Sequence, residues 1–174
     1  MITVLIPTLN AEKTLARVFE PLVGPTVRGL VREVLVLDQG STDATTKIAE
    51  AAGADLADGK AFASNGDWLL HLPQACVLDG NWEDEARRLM ESAPGQTGKV
   101  AGLFRPLRED LRPAARWKER ADLLQNMITG RPVANQAVLL PLSHGGQFPS
   151  ANMALLLKGK KGIRLRAATT QLMT

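Results

Sequence analysis

The sequence holds a single cysteine, Cys76, two histidines, and few aromatic residues, 4% of the chain. One cysteine excludes an internal disulfide and a cysteine-built zinc site, and it fits a reducing compartment. With no basic partner nearby, Cys76 reads as a buried structural thiol. His71 and His144 would need a third ligand to hold a metal, and the sequence offers none, so packed or exposed roles suit both. Stacking-type nucleic-acid binding needs exposed aromatics interleaved with basic residues, which so few rings do not supply. No apolar run approaches the roughly 20 residues that span a bilayer. The opening MITVLIPTLN lacks a basic stretch and is too short in apolar residues for a secretory signal. Neither Ser41 nor Ser143 sits in the GxSxG spacing of a hydrolase elbow, and SHGGQF is too loose a glycine pattern for a phosphate loop. A soluble, cytoplasmic protein without a nucleic-acid partner is expected.

What is present suits one domain spanning 1–174, with enough apolar residues (45%) for a real core. The charge is unevenly spread. Residues 1–90 carry 8 Lys/Arg against 13 Asp/Glu, whereas residues 91–174 carry 13 against 5. A basic C-terminal half can attract phosphates or anionic lipid, although solvated helix faces explain the same residues. KGKKGIRLR (158–166) and RPAARWKER (112–120) are the segments that could meet an anionic membrane at its inner face or a phosphorylated acceptor. Trp117 also completes an apolar stripe with Ala121 and Leu124.

Strand and helix signals alternate through the first hundred residues, which predicts a mostly parallel sheet with helices on both faces, an α/β fold. ITVLI (2–6) reads as a buried strand ended by Pro7. Leu15, Val18, Phe19 and Leu22 form one helix face, broken by GPTVRG. EVLVLD (33–38) is apolar on both faces and so central. Thr42 or Asp43 can cap a helix running to about Ala52, closed by Gly53. ADLA (54–57) and Asp67–Leu72 read as further strands. Asn81 can cap a helix whose first turn carries Glu83, Asp84 and Glu85. KVAGLFR (99–105), QAVLLP (136–141) and IRLR (163–166) complete the strand candidates. Helices are expected after Pro113, through Ile128, and from Ser150 to Leu157.

ITVLIPTLNAEKTL, REVLVLDQGSTDATTKIAEAAGA and GDWLLHLPQACVL occur in this order and resemble family 2 glycosyltransferases, the GT-A fold enzymes that use nucleotide-sugar donors. MITGRPVANQAVLLPLSHGGQFP is similar to the small bacterial branch of that family. The resemblance implies a nucleotide-binding half, 1–104, and an acceptor-side half, 105–174. It also implies nucleotide contacts at Pro7, Thr8, Asn10, Glu12 and Asp38, with a weaker one at Gln39, where a second acidic residue is common. Strand ends at Pro7 and Asp38 would lie side by side at the carboxyl edge of the sheet, where α/β folds bind ligands. Turn and cap chemistry would explain Asp38 and Asp43 equally well.

The chain departs from the family at the chemistry. The strand ending near Leu72 is followed in the family by an acidic motif that binds Mg²⁺ or Mn²⁺; here Pro73, Gln74 and Ala75 stand there, and hard cations need oxygen ligands, usually carboxylates. Asp79, four residues on, reads as a helix-start residue. In place of an acid before Gln, ANQ gives Ala134, Asn135 and Gln136. Ala151 and Asn152 occupy the region of the catalytic base, and an amide has no usable proton affinity at neutral pH. The segment 57–66 is also shorter than its family counterpart. No metal and no cofactor is expected. The expected function is that of a catalytically degenerate family member binding a nucleotide-sugar or nucleoside diphosphate. The alternative is an active, metal-independent transferase whose Arg and Lys residues stabilise the departing diphosphate.

Overall fold

A computed structural model of the chain describes residues 1–57, 61–92, 100–108, 121, 125, 136–142, 147–149 and 161–172. The elements run β1 (Ile2–Thr8), α1 (Leu15–Val27), β2 (Val31–Asp38), α2 (Thr45–Ala51), β3 (Asp55–Ala57), β4 (Ala61–Ala63), β5 (Trp68–His71), β6 (Cys76–Leu78), α3 (Trp82–Ser92), β7 (Val100–Arg108), β8 (Val138–Pro141), β9 (Gln147–Pro149) and β10 (Lys161–Gln171). One sheet has the order β3-β2-β1-β5-β8-β7-β10-β6, and β4 pairs with β9 in a small second sheet. Strands β3, β2, β1 and β5 are parallel neighbours, as are β7 and β10. The antiparallel β8 joins these two parallel blocks, and β6 closes one edge antiparallel to β10. The fold is therefore α/β with a mostly parallel central sheet.

The apolar runs are continuous because both faces of the sheet are covered. On one face Ile2, Val4 and Ile6 of β1 and Trp68, Leu70 and Leu72 pack against α1, α2 and α3. On the other, Leu5, Leu35, Leu37, Leu69, Leu103, Val138 and Leu140 form a second buried cluster. None of the three described helices contributes to that second cluster. Of the helix expected after Pro113, Ala121 and Gln125 are described, and both are helical. Trp117, His144 and the Ser150–Leu157 segment lie outside the described residues.

Two proline-based boundaries are corrected by the structure. Strand β1 runs through Pro7 to Thr8. Thr8 O accepts from Gln39 N on the β2 side, and Leu5 O accepts from Leu72 N on the β5 side. Residue 7 therefore faces β5, where the ladder has already ended at Leu5, and its missing N–H leaves no gap. Helix α1 likewise continues through GPTV to Val27, with Pro21 and Pro25 inside it. Pro25 extends the buried stripe of Leu15, Val18, Phe19 and Leu22. Because Pro25 has no N–H to give to the Pro21 carbonyl four residues back, that carbonyl instead accepts from Trp82 Nε1 at 3.2 Å. The orphaned acceptor thus becomes the anchor for the start of α3. An Arg28–Glu83 ion pair joins the same two helices.

At the amino-terminal edge of the sheet, Glu33 accepts from Thr3 Oγ1 (2.6 Å), Asn65 N and Asn65 Nδ2 (both 2.8 Å). Burial opposes the charged form of Glu33. The hydrogen bonds from Thr3 and Asn65, with Arg32 adjacent in charge, outweigh it and hold the carboxyl below its ordinary range. This polar knot, completed by Ser64 and Gly66 on Thr3 Oγ1, fixes β1, β2 and the entry to β5 far from the carboxyl edge.

Candidate functional site at the carboxyl edge

Thr8 and Asp38 are register partners at the ends of β1 and β2, and Thr8 Oγ1 donates to Asp38 Oδ1 at 3.3 Å. The parallel register brings them together: both strands end level, and the chain leaves in two adjacent loops. Asp38 also anchors its own loop. Its Oδ2 accepts from Gly40 N (3.1 Å) and Ser41 N (2.9 Å), and its Oδ1 accepts from Ser41 Oγ (2.5 Å). Gly40 takes φ +96°, a conformation that favours glycine. Partial burial works against the charged form, but the hydrogen bonds from Ser41, Gly40 and Thr8 prevail and keep the Asp38 carboxyl below its usual value. Asp38 is thus a carboxylate at neutral pH, with turn chemistry of its own.

The two loops clasp each other. Asn10, at φ +51°, donates its N–H to Ser41 Oγ (2.9 Å) and accepts at Oδ1 from Thr42 N (2.9 Å). Ala11 N donates to Thr45 Oγ1 at 2.7 Å. Glu12 N donates to Asp43 Oδ2, and Glu12 Oε2 accepts from Ala44 N, both at 3.1 Å. The side chains of Asn10 and Glu12 thereby tie the first loop to the start of α2. Ala44 occupies the cap position of α2, yet Asp43 Oδ1 accepts from Thr45 N (3.0 Å) and supplies the bond expected of a cap. Pro7, before Thr8, is half-buried, Thr8 itself is buried, and Gln39, after Asp38, is exposed.

The tip of β5, next to β1, carries Pro73, Gln74 and Ala75. Pro73 is buried, and its carbonyl closes a turn by accepting from Cys76 N (2.9 Å). The Gln74 carboxamide lies on the main chain of Leu9: Oε1 accepts from Leu9 N at 2.5 Å and Nε2 donates to Leu9 O at 3.2 Å. Ala75 is buried, and its carbonyl accepts from Leu172 N at the end of β10 (2.7 Å). Asp79 accepts from Asn81 N (3.3 Å) at the start of α3, the helix-start role read from the sequence. Gln136 is buried with Nε2 on the Phe104 carbonyl, so it joins β7 to β8. Asn135, Ala151 and Asn152 lie outside the described residues. Among the described residues, no group of three or more His, Cys, Asp or Glu side chains comes together, and no helix is long and apolar enough to cross a membrane.

Sequence reasoning missed Ser41 and Thr45, whose hydroxyls hold the clasp; the run of small hydroxyl residues in GSTDATT was the available signal. It also missed the Gln74–Leu9 pairing, because residues 65 positions apart leave no local trace.

Residues 3–62 match the family model described as Glycosyl transferase family 2. Among curated proteins, the chain is similar to glucosyl-3-phosphoglycerate synthase of Mycolicibacterium smegmatis. That match is 45% identical over 60 residues, 34% of this chain and 20% of the relative. The enzyme of the same name from Mycobacterium tuberculosis is 49% identical over 53 residues, 30% of this chain and 16% of the relative. The matched segment therefore spans a fifth or less of those relatives' own length. In three dimensions the chain is similar to the M. tuberculosis synthase crystallised with Mn²⁺, uridine-diphosphate-glucose and phosphoglyceric acid. There the TM-score is 0.52 at 22% identity, over 79% of this chain and 55% of that one. A second crystal structure, of a mycobacterial protein, gives a TM-score of 0.58 at 21% identity, over 98% of this chain and 65% of the other. At such identities these two likenesses bear on the fold, and the segment that matches in sequence is the one that carries the Thr8–Asp38 pair. Over residues 3–62 the chain is thus similar to glycosyl transferase family 2, and as a whole it has the GT-A fold.

Proposed function

We propose that this chain is a nucleotide-binding member of family 2 that takes a nucleoside diphosphate or nucleotide-sugar without the metal-dependent transfer of its relatives. The observation that carries the reading is the state of the β5 tip. A divalent cation bridging a donor diphosphate needs carboxylate oxygens there. The residues present are a buried proline, a carboxamide already engaged on Leu9, and a buried alanine methyl. That set does not fit a Mg²⁺ or Mn²⁺ ion, and no step through a metal follows from it. The Thr8–Asp38 cleft supports retained binding, since a carboxylate beside a hydroxyl can accept from a base N–H or a ribose hydroxyl. Asp38 Oδ1 already accepts from Thr8 Oγ1 and Ser41 Oγ, and Oδ2 from Gly40 N and Ser41 N, so a ligand N–H or hydroxyl would take the place of the longest of the four, the 3.3 Å bond from Thr8.

The ligand carried over from the structurally similar synthase is uridine-diphosphate-glucose, or the uridine diphosphate it leaves after transfer. The surplus of basic residues in 91–174 supports a phosphorylated acceptor or an anionic surface as the second partner. The test pairs two measurements on the purified chain. Titration of uridine diphosphate followed by amide chemical shifts should move Thr8, Asp38 and Gln39. Incubation with uridine-diphosphate-glucose should release neither free glucose nor a glycosylated phosphoglycerate. Turnover of that donor without added metal would favour the metal-independent transferase. Undisturbed shifts at Thr8 and Asp38 with every nucleoside diphosphate would remove the binding reading.

A further inference from the structure

We propose that Gln74 is a latch across the candidate cleft, released when a nucleoside diphosphate binds. This rests on the reading above, that the cleft takes such a ligand. Strand β1 lies between β2 and β5. A ligand anchored at Thr8 and Asp38 and extending to the β5 tip therefore crosses the segment just after Thr8. That segment is Leu9, and both of its main-chain polar groups are held by one side chain, Gln74, from the turn after β5.

The residue type suits the task. A carboxamide both accepts and donates, so it satisfies an N–H and a carbonyl together; a carboxylate cannot donate, and an ammonium cannot accept. The backbone beneath it is fixed. Gln74 O accepts from Thr14 Oγ1 (3.2 Å), Pro73 O from Cys76 N (2.9 Å), and Ala75 O from Leu172 N (2.7 Å). With the peptide held on three sides, the carboxamide is the part that can swing away. Leu9 is 46% exposed, so the pair lies at the solvent-facing mouth rather than in the core. Water can replace its hydrogen bonds when it opens, which makes opening inexpensive.

The experiment compares wild type, Gln74→Ala and Gln74→Glu by amide exchange at Leu9 and by titration with uridine diphosphate. Melting temperatures verify that each variant is folded. In Gln74→Ala the Leu9 amide should exchange faster, and uridine diphosphate should bind roughly fivefold tighter, about 1 kcal/mol. Gln74→Glu, which retains the acceptor for Leu9 N, should fall between the two in exchange. Affinity equal to or below wild type in a folded Gln74→Ala whose Leu9 amide is freed would overturn the latch while leaving nucleotide binding intact. Unchanged exchange at Leu9 would overturn it as well. Absence of binding in all three proteins, with Leu9 freed in Gln74→Ala, would instead remove the nucleotide reading and the latch along with it.

Discussion

Acidification should destabilise this protein through His71 before Glu33 and Asp38 respond. His71 sits on β5 level with Leu5 and Val138, on the sheet face that carries Leu69 and Leu140. Its Nδ1 is buried without a hydrogen-bond partner among the described residues. Burial among these apolar neighbours pushes its pKa down from 6.5 to about 4. Below pH 6.5 the unfolded chain binds a proton that the folded chain refuses, so stability falls as pH drops from 6.5 toward 4. Between pH 7.5 and pH 4.5 the loss is about 2–3 kcal/mol. The contributions of Glu33 and Asp38, whose folded carboxyls are held below 4.5 and 3.8, are lost only at lower pH. Urea unfolding followed by circular dichroism at stepped pH measures the effect. His71→Leu should cost less than about 1 kcal/mol at pH 7.5, since it fills similar volume and removes an unsatisfied polar atom. It should also flatten the profile down to pH 4.5. If the variant and wild type lose the same stability over that range, the burial argument for His71 is wrong.

Gly66→Ala should destabilise by about 2–3 kcal/mol, because a Cβ there would lie 2.7 Å from Thr3 N and 3.0 Å from Met1 O, main-chain atoms of and beside central β1. Gly102→Ala should cost about half as much, since its Cβ would meet the side-chain ends of Leu89 and Leu165, which can turn aside; urea midpoints of the two variants give the comparison. Asp38→Ala should lower stability by about 1–2 kcal/mol through loss of the acceptor for Gly40 and Ser41, and Asp38→Asn by clearly less, because one oxygen remains to accept. Both should weaken uridine diphosphate binding, and an affinity unaffected by either would confine Asp38 to turn chemistry.

The parallel core was readable because its strands are buried on both faces: ITVLI, EVLVLD and the run after Asp67 are apolar without alternation, and each is a strand of the sheet. The proline rules misled in two places for the same reason. A proline costs a hydrogen bond only where a partner is in reach, and Pro7 and Pro25 sit where the acceptor is absent or is taken by Trp82. Short strands such as β6 and β9 went unread, because three residues carry no periodicity and CVL and QFP acquire their state from β10 and β4. At the site, Thr8, Asn10, Glu12 and Asp38 could be named from local motifs at strand ends. Their mutual clasp, and the Gln74 carboxamide on Leu9, depend on which strands become neighbours, and that information is nonlocal.

The central claim is that nucleotide binding here has parted from the divalent metal. Calorimetric titration of the chain with uridine diphosphate, once in Mn²⁺ and once in chelator, tests it most directly. The account predicts binding of equal affinity in both, because Pro73, Gln74 and Ala75 offer the cation no carboxylate and the Thr8–Asp38 cleft does not need one. A metal-dependent gain of tenfold or more, about 1.4 kcal/mol, would contradict it and would mean that acids elsewhere in the chain rebuild the metal site.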